Sequence, residues 1–289
     1  MLDSLVSWAP LSAQIWLVQM LAYHGFGLWF EWLDHSGRLK RLKFKRMERL
    51  GYFDMLPRVL ANQTFILLPA MLFLQRAGLA FVGSPTLSLP VLLASIAAMT
   101  VGHDIVQYIA HRFVLHRPDM MRQLGHALHH STIGSLGISA CYMSAADFFL
   151  EIVCPYLIPL AFVPLGSNFL VHALIVAAGA FGGLYEHSGY DFARALREPE
   201  DGHSPGRLRL ALARMVSSEA HAAHHSRGDV SFSDGFGSSN LCDTLFRTRF
   251  DLVPQRRGAT PKRLRASSTK VDRLLRSDLA PAFSSGAIS

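Results

Sequence analysis

The chain has 289 residues and a mass of 32.0 kDa, with 50% hydrophobic residues, 17% charged residues and a mean hydropathy of +0.24. That is too apolar for a disordered protein and poorer in charge than a soluble domain, in which about 25% of residues are charged. A net charge of +7 would suit a nucleic-acid partner, but seven of the 28 basic residues lie between Arg38 and Arg49 and ten between Arg247 and Arg276. Beside long apolar segments, such runs read as cytoplasmic flanks drawn to anionic headgroups, and no nucleic-acid partner is expected.

Four stretches carry no Asp, Glu, Lys or Arg over spanning or near-spanning lengths: Ser4 to Phe30, Val59 to Gln75, Ala77 to Gly102, and Ile152 to Tyr185. About 20 apolar residues cross a bilayer as a helix. Ser4 to Phe30 has no basic region ahead of it and no small-residue cleavage site with the usual flanks, so it reads as a retained helix, the alternative being an interfacial one. Val59 to Gln75 and Ala77 to Gly102 form an expected hairpin, with Gly78, Gly83, Ser84, Pro85 and Pro90 punctuating its middle. Tyr142 to Leu165 and Asn168 to Tyr185, parted by Pro164, Gly166 and Ser167, form a second.

The expected fold is therefore all-α, an integral-membrane, multi-pass helical bundle of about four to five transmembrane helices. Placing Arg38 to Arg49 in the cytoplasm puts the segments after Gly102 and after Tyr185 there too, where they would form a histidine-rich helical cap. Three regions follow: 1–56, an N-terminal membrane helix with a basic segment; 57–250, the membrane domain; and 251–289, a basic tail of disordered composition.

The chemistry lies in 14 histidines set against three cysteines, Cys141, Cys154 and Cys242, none of them paired at ligand spacing. Twelve histidines fall between His103 and His225. HxxHH occurs twice, as His126, His129, His130 and as His221, His224, His225. Residues at i, i+3 and i+4 share a helix face, so each triplet is expected to aim three imidazoles at one point. One such triplet could be a solvated face; two identical ones, each followed by Ser, point to metal ligation, for which imidazole suits Zn, Cu, Fe and Ni.

Ahead of the first triplet, Asp104, Tyr108 and His111 lie at i, i+4 and i+7 on one helix face. His111 and His116 are five apart, about 140° around an ideal helix, so the helix must end or distort near Leu115 for both to serve one metal. Asp104 is read as an acceptor fixing a histidine tautomer, with capping or ion pairing as the alternative. His187 follows the last apolar stretch, with Glu186 and Asp191 as acceptors or weak ligands beside it. His103 and His203 are reserves, His172 is assigned to helix packing or a substrate pocket, and His24 and His35 fall outside the set.

His111, His116, His126, His129, His130, His187, His221, His224 and His225 make nine candidate ligands. A single metal takes about four to six ligands, so nine imply two metals. Structural zinc favours cysteine-rich sets and catalytic zinc needs about three protein ligands. An all-nitrogen dinuclear centre beside an apolar pocket suits oxygen activation by iron.

The segments HDIVQYIAHRFVLH, GHALHH, YEHSGYDF, AHAAHH and NLCDTLFRT resemble the fatty acid hydroxylase and sterol desaturase superfamily of integral-membrane non-haem di-iron oxidases, over about Pro57 to Phe250. The resemblance implies His111 and His116 as the first box, His126, His129 and His130 as the second, His221, His224 and His225 as the third, and His187 as a further ligand. HSGYDF is similar to the C-4 methylsterol oxidase branch, whereas four residues between His111 and His116 match the fatty acid and sphingolipid hydroxylases, so the substrate class stays open between sterol-like and fatty-acyl.

The resemblance further implies two Fe ions, O2 as co-substrate, and hydroxylation or desaturation of an unactivated C–H of a lipid. Electrons would come from NAD(P)H through a separate donor, cytochrome b5 or a ferredoxin with its reductase, since the sequence has no nucleotide-binding loop, haem motif or ferredoxin-type cysteine set. The membrane would be the endoplasmic reticulum in a eukaryote or the inner membrane in a bacterium. Two other classes remain as alternatives: a membrane zinc hydrolase, and a non-enzymatic metal transporter.

Overall fold

A computed structural model describes residues 9–44, 50–199 and 204–254. They belong to one unit, Met1–Val253, except Pro254, which opens a second unit running to Ser289. The expected tail therefore lies outside the described residues from 255 onward, as do His203 and the 45–49 portion of the basic segment. The described residues are helical, with no strand among them and one isolated bridge between Lys43 and Tyr190.

Helix α1 (Leu11–Ser36) buries Ile15, Tyr23, Phe30 and Leu33 along one stripe and ends at Gly37, whose φ of 65° is the left-handed C-cap that glycine supplies. Helix α2 (Tyr52–Arg76) runs back along it, and its course includes a π-helical turn at Gln63–Leu67. Helix α3 (Leu89–Leu115) is α-helical to Ala110 and closes with a π turn at His111–Leu115. Short helices α4 (Met120–Gln123) and α5 (His126–Ser131) lead into a buried irregular stretch around a 3-10 turn at Gly137–Cys141. Irregular backbone needs internal partners at membrane depth. Tyr23 donates to the Ile138 carbonyl and accepts from the Cys141 N–H, while Asn62 donates to the carbonyls of Cys141 and Met143.

Helix α6 covers residues 145–160, with a π turn at Phe149–Val153, and α7 spans Phe169–His187. After them come α8 (Ala193–Arg197), α9 (Arg207–Met215), α10 (Glu219–Arg227) and α11 (Leu241–Leu245). Helix α1 packs along α7, where Phe26 meets Phe181 edge to face at 5.3 Å, and α3 packs along α6. At that second crossing a Cβ on Gly102 would stand 2.8 Å from the Pro159 side chain, so only glycine permits the approach.

Among the described residues, three helices are long and apolar enough to cross a membrane: α2, α3 and α7. This differs from the expected four to five. Helix α1 has the length but carries Gln14, Gln19 and His24, and α6 is only 16 residues long and contains Asp147 and Glu151. The expected hairpins exist as chain reversals, yet their arms take other partners, α2 lying along α1 and α3 along α6.

The starts of α3 and α7 are clasped together. Ser167 N–H donates to the Ser84 carbonyl, Ser167 Oγ to the Gly83 carbonyl and Asn168 Nδ2 to the Pro85 carbonyl. The two helices then run in the same direction and deliver His111 and His187 to the opposite end, which is where the nine histidines meet.

Candidate metal centre

The nine expected ligands converge, and they do so as two groups. His111, His116, His126, His130 and His224 form one; His129, His187, His221 and His225 form the other, the ligand atoms within each lying inside 4.8 Å of one another. Each HxxHH triplet therefore serves both groups, which corrects the expectation of one target per triplet. A helix turns about 100° per residue, so residues four apart diverge by only about 40° while the residue at i+3 falls about 60° to the other side. Accordingly His126 and His130 join the first group and His129 the second, whereas His221 and His225 join the second and His224 the first.

His111 and His116 reach one group because the helix winds wider there. The His116 N–H donates to the His111 carbonyl, an i to i+5 bond, within the π turn that ends α3. This is the distortion that their spacing required.

What each ring does at its outer nitrogen decides what its inner nitrogen can do. His111 Nδ1–H donates to the Phe232 carbonyl at 2.7 Å, His224 Nδ1–H to the Val230 carbonyl at 2.7 Å, and His187 Nδ1–H to the Gly183 carbonyl at 2.8 Å. His126 Nδ1–H donates to Asp147 Oδ1 at 2.9 Å. A neutral ring that donates from Nδ1 carries a lone pair and no proton at Nε2. Yet His111 Nε2 and His126 Nε2 stand 3.2 Å apart, and His187 Nε2 lies 2.9 to 3.2 Å from the Nε2 atoms of His221, His129 and His225. Facing lone pairs, as at His111 and His126, repel unless a cation lies between them, and the second group gathers four Nε2 atoms as closely, so the donor set fits divalent metals.

Protons are poor substitutes for such cations. Burial, then His224 and His126, push His116 down to about 2, and burial with His126 and His116 does the same to His130. Burial first and neighbouring imidazoles second hold His129, His224 and His225 well below the ordinary histidine value. A charged ring among unshielded neighbours in a dry site is costly.

Two carboxylates escaped the sequence reading. Asp147 and Glu151, one turn apart on α6, are buried against the cluster. Glu151 Oε1 lies 3.8 Å from His111 Nε2 and 3.9 Å from His129 Nε2, one ring of each group, and Oε2 lies 3.3 Å from His126 Nδ1. Their signal was present in AADFFLE, two acids four residues apart in an otherwise apolar helix.

Asp104 does not meet a histidine. Its carboxylate accepts from the hydroxyls of Ser233, Ser238 and Ser239 and from the N–H groups of Leu241 and Cys242, so it ties α3 to the segment around α11. The tautomer-fixing acceptors are instead Asp147 and three backbone carbonyls. Glu186 accepts from the Phe236 N–H, with Oε2 4.0 Å from His221 Nδ1, and Asp191 accepts from the N–H groups of Ala193 and Ser218.

The remaining histidines lie apart. His103 is exposed on α3, and His24 bonds Tyr52 and Gln63. His172 sits near the start of α7, donating to the Gly166 carbonyl and facing Phe81, in the wall of a recess of about 290 Å³ remote from the cluster.

No curated protein and no solved structure matches the chain. The family model described as Fatty acid hydroxylase matches residues 96–248, more than half of the chain and all nine clustered histidines. With that match, its apolar helices and its two imidazole groups, the chain belongs to the fatty acid hydroxylase family.

Proposed function

We propose that the protein is an O2-dependent membrane di-iron oxidase that hydroxylates or desaturates an unactivated C–H of a sterol-like or fatty-acyl lipid. Membership of the family already implies a lipid-directed oxidoreductase. The observation that carries the finer reading is the pair of imidazole groups, with Nδ1 of His111, His126 and His224 in the first and of His187 in the second engaged outside and Nε2 turned inward. His111, His116, His126, His130 and His224 would hold one iron, and His129, His187, His221 and His225 the other. When bound, the pair would supply reductive activation of O2, with electrons from NAD(P)H through cytochrome b5 or a ferredoxin.

The chain's own residues do the rest. Asp147 and the carbonyls of Phe232, Val230 and Gly183 engage Nδ1 of four rings and so turn their Nε2 atoms inward. Glu151 places a carboxyl oxygen near a ring of each group, where a bound cation would favour its ionised form. Phe232 packs on His111, His116 and His224 and excludes water from that side.

Three spans form the minimum, with α1 and the segment 142–165 as the further membrane-associated elements, and 57–250 is the oxidase domain between a 1–56 anchor and a 251–289 tail. The histidine end faces the cytoplasm in this reading. Arg41, Lys43, Arg117, Arg122, Arg194 and Arg197 lie in segments at that end, whereas residues 77–88 and 161–168 at the other carry no Lys or Arg. Cysteines placed at Ser84 and Ser226 should label from opposite faces of sealed vesicles; labelling from one face overturns the topology.

The deciding experiment is metal analysis of the purified protein coupled to O2 uptake with a reductant and a lipid extract. Two irons per chain and oxygen uptake that depends on reductant support the reading. Zinc with turnover indifferent to O2 would replace it with a hydrolase.

A further inference from the structure

The segment from Val230 to Thr248 folds over the first histidine group and not merely beside it. Two of its carbonyls, from Val230 and Phe232, accept the Nδ1–H of His224 and His111, both at 2.7 Å. Ser231 between them has a φ of 52°, the left-handed region that a non-glycine residue enters at a cost, and such strain persists only where surroundings impose it. The surroundings are bonds from the end of the segment and the residues just past it: Ser231 N–H donates to the Thr248 carbonyl at 2.7 Å, and Ser231 Oγ accepts from Phe250 N–H.

Two buried carboxylates hold this strap in place. Asp243, in α11, accepts from the N–H groups of Phe232, Ser233 and Asp234 and from the Thr248 hydroxyl. Asp104, in α3, accepts from Ser233 and from the N–H groups that begin α11. Tyr108, one turn before the π turn that carries His111, bonds Thr248 at 3.1 Å. A chain of hydrogen bonds thus runs from Asp243 through the Phe232 peptide to His111.

We propose that Asp243, aided by Asp104 and Thr248, is a positioning residue for one of the two metal sites: it fixes the strap whose carbonyls orient His111 and His224. Both of these rings belong to the first group. In the second group His187 draws its acceptor from within α7, at Gly183, so the two sites differ in what holds their ligands. The strap acts on a single metal of the pair. This inference rests on the dinuclear reading above.

The test uses the full-length protein in detergent or nanodiscs, loaded with ⁵⁷Fe, comparing wild type, Asp243→Asn, Thr248→Val and a control, Asp251→Asn, whose partner is the surface residue Arg249. Loss of an outer hydrogen-bonding partner weakens metal binding about 10- to 100-fold. Asp243→Asn should therefore release one iron to a chelator that leaves the wild-type pair intact, and one of two Mössbauer iron environments should fade while the other persists. Thr248→Val should show the same selectivity more weakly, and Asp251→Asn neither effect. If Asp243→Asn does not accumulate, Thr248→Val carries the comparison alone. Retention of both irons with unchanged spectra, or equal weakening of both, overturns the proposal. Fewer than two metals in the wild type overturns the dinuclear reading instead.

Discussion

His111 and His126 face each other through Nε2 at 3.2 Å, although each has committed its Nδ1 proton elsewhere, to the Phe232 carbonyl and to Asp147. The contact is unfavourable for the protein alone and becomes favourable once a cation accepts both lone pairs. Metal binding to the native state should therefore stabilise it by mass action. Chelation should lower the thermal midpoint measured by intrinsic fluorescence, and iron should restore it; a midpoint indifferent to chelator would remove the metal from the account.

Ligand truncation should separate chemistry from folding. His126→Ala and His225→Ala, one from each group, should abolish lipid oxidation and lower bound iron while membrane insertion is retained. Unchanged turnover in either variant would sink the dinuclear centre.

Asp147 acts through His126. Asp147→Asn keeps the volume but replaces the carboxyl that accepts the His126 Nδ1–H, so iron affinity should fall about 10- to 100-fold. Competition titration against a calibrated chelator reads this directly, and an affinity equal to wild type would relegate Asp147 to packing.

Acidification should release metal and destabilise the fold together. Folded-state values for His116 and His130 are depressed to about 2 against an ordinary 6.5, so the unfolded chain binds more protons throughout that interval. Stability is fully present above about pH 6.5 and declines as pH falls toward 2. Urea midpoints of the metal-free protein should decrease steadily below pH 6.5; a flat profile between 6.5 and 4 would contradict the buried neutral rings.

At the far end, Gly166 has a φ of 60°, and an added Cβ would stand 2.1 Å from the Ser84 carbonyl oxygen. Gly166→Ala combines left-handed strain with a backbone clash and should cost about 1–3 kcal/mol or more. A thermal midpoint within a degree of wild type would show that the loops separate without cost.

All nine clustered histidines were named from the sequence, six by the repeated HxxHH spacing, His111 and His116 by their place at the end of an apolar helix, and His187 by the topology that returns it to the same end. The division between two groups was not, since it depends on how far apart α5 and α10 stand and which way each is turned. The π turn at His111–Leu115 was half visible: five-residue spacing demanded a distortion but did not say that the helix would widen instead of ending. Asp104 misled because a buried acid near histidines has several backbone donors to choose from, and the serine-rich strap supplied them from about 130 residues downstream. Asp147 and Glu151 are hidden in the sequence because they lie just before the charge-free stretch that starts at Ile152, in a segment whose other residues are apolar or small.

The clasp between Gly83–Pro85 and Ser167–Asn168 makes α3 and α7 two struts joined at one end, with His111 and His187 entering the two neighbouring imidazole groups at the other. Helix α7 has 19 residues, about 28 Å, close to the roughly 30 Å of a bilayer's hydrocarbon core. Neither strut can then tilt without the other to absorb hydrophobic mismatch. In the dinuclear reading proposed above, a thinner or thicker membrane would act as a mechanical load on the spacing of His111 and His187, giving lipid composition a route to the metal pair that involves no binding event.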